Sequence, residues 1–256
     1  MIRENGGKPA FPCNVCINEV AAHYTSPIDD RTSIPKGAIV KVDIGVHVDG
    51  YLADTAITIC LNPEHAPLAE TAELALKKAC ETIRHGIKAS EVGAVIQKTI
   101  ETYRFKPIWN LTGHKTVRYI VHSGKSIPNV SHLNGTKIEA GEVYAIEPFV
   151  TLKEADGKVS ELNESFIYRY VKDRPLKNDS AKLLQKIKTE FHTLPFTKRW
   201  IHGLLPPRQF EEAFSELISR KTIANYPVLV EASGNPVAQA EHTVVVTKGG
   251  CTILTI

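Results

Sequence analysis

Four carboxylates and one imidazole stand where charged side chains are uncommon. Asp43 and Asp54 lie in the apolar-rich segments KVDIGVHV and YLADTAIT, and His114 lies in NLTGHKTV. Glu147 interrupts VYAIEPFV, and Glu241 interrupts VAQAEHTVVV. A glutamate in so apolar a run is rarely buried without a partner. The set matches what two bridged divalent metal ions require, which is several oxygen ligands and few soft ones.

A predicted hairpin brings two of these acids to one face of a sheet. Residues 39–60 read as two alternating strands, joined by a strong Asp-Gly turn signal at 49–50. In this register Gly45 faces Asp54, which makes Asp43 a diagonal neighbour of Asp54 on the same face. Two carboxylates placed there repel each other unless a lysine, an arginine or metal ions lie between them. Either acid taken alone would be a solvated or salt-bridged strand residue.

The remaining elements alternate between helical and extended patterns. Apolar spacing predicts helices over 67–84 and 91–104, the second with Ser90 as its N-cap. Further strands are expected at 117–122, 142–151, 226–231, 237–247 and 251–256. Two amphipathic stretches fall within 178–220. This order predicts an α+β fold, with a single domain over 1–256 and a helical insertion over 172–225.

The bulk composition excludes several classes of protein. The chain has 256 residues, 43% of them hydrophobic, and a net charge of +3 without a basic, aromatic-rich stripe. This argues against a nucleic-acid partner, and no apolar run approaches the roughly 20 residues that cross a membrane. The start carries no apolar signal segment, so a cytoplasmic protein is expected. Cys13 and Cys16 form a CxxC pair without a second pair, which favours two small buried residues in a reducing compartment.

Nine segments, spread in order over almost the whole chain, match one known family. They are KPAFP at 8–12, INEVAAHYT at 17–25, KVDIGVHVDG at 41–50, ADTAIT at 53–58, KPIWNLTGHK at 106–115, VHSGKSIPN at 121–129, GEVYAIEPF at 141–149, TLPFTKRW at 193–200 and VAQAEHTVVV at 237–246. Each is weak alone, but the set is specific. On these segments the sequence resembles the type 2 methionine aminopeptidases of the archaeal kind. The resemblance implies the creatinase-like "pita-bread" fold, a curved antiparallel sheet flanked by helices, with a helical insertion.

The resemblance also implies roles for particular residues. The metal ligands would be Asp43, Asp54, His114, Glu147 and Glu241, with Asp54 and Glu241 bridging both ions. The substrate would be contacted by His23 near the scissile amide and by His122 at the scissile carbonyl. The methionine pocket would be lined by Phe11, Val121, Phe149 and Tyr226. From the residues alone, each of the two histidines would be taken as structural.

The implied activity is removal of the N-terminal methionine from nascent polypeptides by hydrolysis of the first peptide bond. Two divalent ions, of cobalt, manganese, iron or zinc, would activate a water and hold the α-amino group. Glu147 would take the proton of that water and return it to the leaving amine. The enzyme is expected to act as a monomer in the cytoplasm, with the ribosome as a place where it meets nascent chains, and without nucleic-acid or membrane partners.

Two departures and two alternatives accompany the resemblance. Members of that family carry a pair of helices before the segment matching GGKPAFP, so an exposed apolar patch on the sheet is expected here, with self-association or lower stability. Ala240 stands where relatives often carry an aromatic residue. The alternatives are an Xaa-Pro peptidase of the same fold and a non-catalytic binding module. The HYT segment at 23–25 and the helical insertion favour the methionine enzyme, and the complete ligand set argues against the module.

Overall fold

Fifteen strands and four α-helices form in the residues that the computed structural model describes, 1–131 and 135–255. The strands are β1 (Lys8–Pro9), β2 (Asn14–Ile17), β3 (Val20–Ala22), β4 (Ile39–Val48), β5 (Tyr51–Cys60), β6 (Lys106–Pro107), β7 (Thr112–Thr116), β8 (Ser126–Pro128), β9 (Val143–Ile146), β10 (Phe149–Thr151), β11 (Val159–Tyr170), β12 (Ile223–Glu231), β13 (Val237–Gln239), β14 (Glu241–Val246) and β15 (Cys251–Ile253). The helices are α1 (Ala66–Thr82), α2 (Ala89–Thr102), α3 (Asn178–Phe191) and α4 (Pro207–Ser219).

A nine-stranded sheet forms the centre of the molecule. Its strands run in the order β1-β4-β5-β14-β9-β7-β8, with β2 also on β4 and β15 also on β14. Two three-stranded sheets, β13-β10-β6 and β11-β12-β3, complete the strand pairing of the described residues. These neighbouring strands pair antiparallel. Helices α1 and α2 bury their apolar residues against the central sheet in the largest hydrophobic cluster. The predicted α+β class is confirmed.

The β4–β5 hairpin has the predicted register. Gly45 lies opposite Asp54 and Val48 opposite Tyr51, so the turn is the Asp-Gly dipeptide at 49–50. Both turn residues have positive φ, 49° and 85°, as a tight two-residue hairpin turn requires. Within β4, position 45 requires glycine because a side chain there would overlap the ring of Phe11.

Three predicted strands are wrong in detail. The predicted strand 237–247 is divided at Ala240 into β13 and β14, which belong to different sheets. Residues 117–122 form a tight turn, in which Val117 pairs with Ile120 through a single bridge. The hairpin tip fixes this turn, because Arg118 and the backbone of Tyr119 donate hydrogen bonds to the tip's carbonyl groups. The predicted strand 142–151 is divided into β9 and β10 by Glu147-Pro148. Proline cannot donate to the ladder and restricts the residue before it, so the chain bends at Glu147.

The helices lie where the sequence predicts them, but the N-cap of α2 differs from the prediction and strand β11 was not predicted. Ser90 lies inside α2, buried, and Glu91 instead accepts a hydrogen bond from the Lys88 backbone at the start of the helix. The predicted N-cap is therefore wrong. The long strand β11 was not expected, because its first half is largely exposed and lacks apolar alternation. It pairs with β12, next to a separate hydrophobic cluster that α3 and α4 form.

The expected apolar patch is present on the face of the hairpin opposite Asp43 and Asp54. Ile44, Ile57 and Ile59 are 37%, 56% and 44% exposed there. Helices α1 and α2 cover the adjoining strands β9 and β14. Self-association through this face stays a prediction. In the part of the chain described, no helix is long and apolar enough to cross a membrane, and the five cysteines are free.

Candidate active site

Strands from both halves of the chain bring the predicted acids together. Asp43 and Asp54 share one face of the hairpin, as the register requires. Glu241 opens β14 and lies opposite Ala56 of β5. His114 on β7 lies opposite Ala145 of β9, which also pairs with β14. Four residues from three distant segments therefore meet across neighbouring strands of one sheet.

The tightest group consists of Asp54, His114 and Glu241, all buried. One ligand atom from each lies within 4.8 Å of the other two. The Nε2 atom of His114 is 3.8 Å from Asp54 Oδ2 and 3.5 Å from Glu147 Oε1. Asp43 and Glu147 line the same cavity beside this group. The five predicted ligands are thus collected in one place, three of them with metal-ligand spacing.

The two glutamates are held by a neutral amide. Gln239 is buried, and its Nε2 atom lies 3.4 Å from Glu147 Oε2 and 3.3 Å from Glu241 Oε2. The backbone of Asp54 is fixed as well, because the Thr243 hydroxyl accepts its N–H at 2.7 Å and donates to its carbonyl at 2.8 Å. These contacts orient the carboxylates without neutralising them.

The charges in the cavity are not balanced by the chain itself. In residues 1–131 and 135–255, no lysine or arginine forms an ion pair with any of the four acids. Desolvation raises the pKa of Asp43 to about 7. Desolvation, together with the neighbouring carboxylates, raises the pKa values of Asp54, Glu147 and Glu241 well above their ordinary range. Burying this set in its charged form requires a cation from outside the chain.

A divalent metal ion fits this requirement. Asp43 Oδ1 and Asp54 Oδ1 are buried and have no hydrogen-bond partner among the described residues, and the ring nitrogen of His114 that faces the acids is Nε2. Desolvation, with His122 next in weight, lowers the pKa of His114 to about 3, so its imidazole is neutral and keeps a lone pair for a metal. Carboxylate oxygens with one imidazole form a donor set typical of divalent-metal sites.

Apolar and imidazole side chains form the rest of the cavity wall. Of the predicted substrate contacts, those that line it are Phe11, His23, Val121, His122 and Tyr226. Four further wall residues were not found from the sequence, namely Asn14, Ala22, Ile167 and Pro195. The structure places Phe149 elsewhere, buried in a core cluster with Ala21, Ile108 and Val237. Its role in the pocket thus stays a prediction from the resemblance.

The two predicted histidines flank the acids. His23 Nδ1 lies 3.0 Å from the Pro227 carbonyl, which only accepts, so Nδ1 carries the proton. Nε2 of the neutral ring then keeps its lone pair. The ring of His122 lies 4.3 Å from that of His114, centroid to centroid. Desolvation lowers the pKa of His23, and desolvation followed by the proximity of His23 lowers that of His122 to about 4. Both rings are neutral at physiological pH.

The missed residues gave weak signals in the sequence. Gln239 precedes Glu241 by two positions, and Asn14 is a polar residue in the apolar run FPCNVCI. Placing Asn14 beside Asp43 needs the pairing of β2 with β4, which joins segments almost 30 residues apart and has no local marker.

Comparison with known proteins finds methionine aminopeptidases among the relatives of this chain. The methionine aminopeptidase of Methanothermobacter thermautotrophicus is 45% identical over 258 residues, covering 99% of this chain and 86% of that protein. The methionine aminopeptidase of Thermococcus onnurineus is 47% identical over 256 residues, with the same two coverages. A solved structure of a thermophilic Arx1 has a TM-score of 0.78 at 19% identity and covers 96% of this chain and 76% of that one. A likeness at that identity shows the fold alone.

The family model agrees with both the fold and the relatives. A model described as "Metallopeptidase family M24" matches residues 1–248, which include every residue placed at the cavity. The pita-bread architecture expected from the resemblance is confirmed by this match and by the solved structures of the same fold. The chain belongs to metallopeptidase family M24.

Proposed function

We propose that this chain is a methionine aminopeptidase, which hydrolyses the first peptide bond of polypeptides that begin with methionine. One observation carries the proposal: buried acids that pair with no lysine or arginine of the described residues line the same cavity as apolar side chains. The first feature suits metal-assisted hydrolysis and the second suits a methionine side chain. Relatives 42–47% identical over 99% of the chain carry this activity in their names.

The metal centre would hold two divalent ions. Asp54, His114 and Glu241 have the closest spacing, and Asp43 and Glu147 would complete the set from the same cavity. Bound divalent ions supply a Lewis acid for the scissile carbonyl and lower the pKa of a water molecule. Manganese, iron, cobalt and zinc all accept such oxygen-rich donors, and their supply in the cell decides among them.

Proton transfer falls to Glu147. Its carboxylate is buried at the bend between β9 and β10, and burial raises its pKa well above the ordinary range. A carboxylate with a raised pKa takes a proton from water readily and returns it to the leaving amine. The amide of Gln239 holds Oε2 at 3.4 Å, which leaves Oε1 toward His114 and the cavity.

The histidines and the apolar wall position the substrate. His122 lies against His114 and would donate to the carbonyl oxygen as negative charge develops there. His23, edge-on to Tyr226 at 5.3 Å, would contact the scissile amide from the other side. The methionine side chain would occupy the space between Phe11, Val121 and Tyr226. Such a pocket separates apolar side chains of similar size only weakly.

The partners follow from the reaction. We infer that the substrates are the N-termini of nascent polypeptides, met in the cytoplasm and at the ribosome. The net charge of +3 gives no reason to add a nucleic-acid partner.

The test is release of methionine by the purified chain. Protein stripped with a chelator and reloaded with Mn²⁺ or Co²⁺ is expected to cleave Met-Ala-Ser and to leave Xaa-Pro peptides intact. The stripped protein without metal is the control and should be inactive. Activity that persists after exhaustive chelation, or preference for Xaa-Pro peptides, would remove the proposal.

A further inference from the structure

Asn14 is a buried polar residue in the cavity wall to which the mechanism gives no task. We propose that its side-chain carbonyl accepts a hydrogen bond from the α-amino group of the substrate's first residue, so that Asn14 is a substrate-binding residue. The proposal rests on the proposed function, since it concerns an aminopeptidase substrate.

The orientation of the Asn14 amide is set by its surroundings. Nδ2 donates to the Pro12 carbonyl at 3.1 Å. Because a carbonyl only accepts, the NH₂ end must lie on that side and Oδ1 on the other. The side chain is 3% exposed, and Oδ1 has no hydrogen-bond partner among the described residues. A buried acceptor left unsatisfied is costly, so a donor is expected to reach it when the site is in use.

A second acceptor lies next to it. Asn14 on β2 is the direct cross-strand partner of Asp43 on β4, which places the two side chains on one face about 5 Å apart at their Cβ atoms. Asp43 Oδ1 is also buried without a hydrogen-bond partner among the residues described. Within the described residues, this corner of the cavity therefore presents two buried oxygen atoms, Asn14 Oδ1 and Asp43 Oδ1, that accept no hydrogen bond from the protein.

The substrate has one group that matches this corner. A free α-amino group carries two or three N–H donors within one atom's reach, whereas the scissile carbonyl only accepts and the scissile amide has a single N–H. An acceptor pair therefore selects the amino end of the peptide and repels its carbonyls. A peptide with a blocked N-terminus would leave both oxygens short of donors, which is a basis for rejecting it.

The chain offers a matched control in Asn129. Its Nδ2 also donates to a backbone carbonyl, that of Leu111 at 3.0 Å, and its Oδ1 is also buried without a partner in the described residues. Asn129 is not among the residues that line the cavity. It has the same internal bond as Asn14 but no access to a ligand.

The experiment compares two ligands that differ only in the amine. Methioninol has the methionine side chain and α-amino group, and 4-(methylthio)butan-1-ol lacks the amine; neither has a bond to hydrolyse. Their Kd values for the Mn²⁺-loaded protein are measured by titration calorimetry. Asn14→Ala is expected to weaken methioninol about tenfold, as the loss of one hydrogen bond to a charged or polar donor implies. The amine-free ligand should change less than about twofold, and Asn129→Ala should change neither.

A further variant separates binding from the bond to Pro12. Asn14→Asp keeps an oxygen acceptor and loses the donor, so it should bind methioninol at least as tightly as the wild type. Equal weakening of both ligands in Asn14→Ala, or loss of methioninol in Asn14→Asp, would show that Asn14 only shapes the wall. No change in Asn14→Ala would overturn the proposal, because the amine would then gain nothing from Asn14 Oδ1. If the wild type binds neither ligand and does not cleave Met-Ala-Ser, the proposed function fails; if it does both, only this inference is at stake.

Discussion

Glu142 and the acids of the cavity lie near opposite faces of strand β7 and have opposite surroundings. Glu142 accepts hydrogen bonds from Lys115 Nζ at 2.8 Å, Lys125 Nζ at 2.6 Å and the Tyr144 hydroxyl at 2.8 Å. Although burial alone would raise its pKa, these donors lower it to about 2. One residue before Lys115, His114 faces the cavity acids, whose pKa values are raised.

The difference shows what the cavity is built for. Alternation along β7 sends Lys115 toward Glu142 and His114, whose imidazole is neutral, toward the cavity acids. Two lysines pair with Glu142, whereas no lysine or arginine among the described residues pairs with the cavity acids. The unpaired acids are therefore kept for a cation that the protein binds, whereas Glu142 belongs to the framework.

The largest expected effect is on turnover. Glu147→Gln removes the proton acceptor, so kcat on Met-Ala-Ser should fall at least about a thousandfold, within the range for loss of a general base. Glu142→Gln, the matched change outside the cavity, should keep kcat within about threefold. Methionine release in both variants at 25 °C, with circular dichroism to check folding, is the measurement. Equal losses would end the distinction between the two groups of acids.

Metal binding should raise stability through the cavity acids alone. At a metal concentration 100 times Kd, the free energy of unfolding rises by about 2.7 kcal/mol. For a chain of this size, that corresponds to an increase in Tm of roughly 5–10 °C. Scanning calorimetry of stripped protein with and without Mn²⁺ gives the shift. Asp54→Asn should remove most of it and Glu142→Gln none of it; a shift that survives Asp54→Asn would place the metal elsewhere.

The sequence predicts well where the signal is local. The β4–β5 hairpin follows from an Asp-Gly turn and alternation, and its register places Asp43 beside Asp54 before any coordinates are known. The sequence does not predict strand β11, because the first half of this strand is exposed and therefore needs no apolar face. The bend at Glu147 is only partly predictable. Pro148 indicates a break, but the residues on both sides of it have a strand pattern.

Site residues are predictable only when they are anomalies. Glu147 and Glu241 are charges in apolar strands, which burial alone would not allow. Neutral polar residues such as Asn14 and Gln239 are not anomalous in a strand. Their position at the site depends on strand pairing between distant segments, which the sequence does not reveal. Phe149 shows that a resemblance can also assign a residue to a site where the structure does not place it. It is buried in a core cluster and is not among the described residues that line the cavity.

Glu142, the acid that pairs with lysines, should contribute to the free energy of unfolding. Glu142 has a folded pKa of about 2 against an ordinary 4.5, so its contribution is complete above pH 4.5 and is lost as pH falls toward 2. With the lysines partly exposed, Glu142→Gln should cost about 2 kcal/mol at pH 7. Urea unfolding at pH 7, 4.5 and 3.5 should show this difference shrinking at the lowest pH. A difference that grows on acidification would contradict the ion-pair assignment, and Glu139→Gln serves as the exposed neighbouring control.

The smallest effect is expected where an ion pair is equally close but exposed. Arg208 Nε lies 3.0 Å from Glu212 Oε1 on α4, with the two side chains 91% and 66% exposed. Water competes for both charges, so Glu212→Gln should cost less than about 0.5 kcal/mol in the same urea experiment. The N–O distance is close to that of the Lys115–Glu142 pair, 2.8 Å, but Glu142 is more buried and accepts hydrogen bonds from two further side chains. If Glu212→Gln cost as much as Glu142→Gln, contact distance rather than burial would set the energy of these pairs. The contrast between Glu142 and the cavity acids would then lose its physical basis. It assumes that desolvation sets how strongly a buried carboxylate requires a positively charged partner.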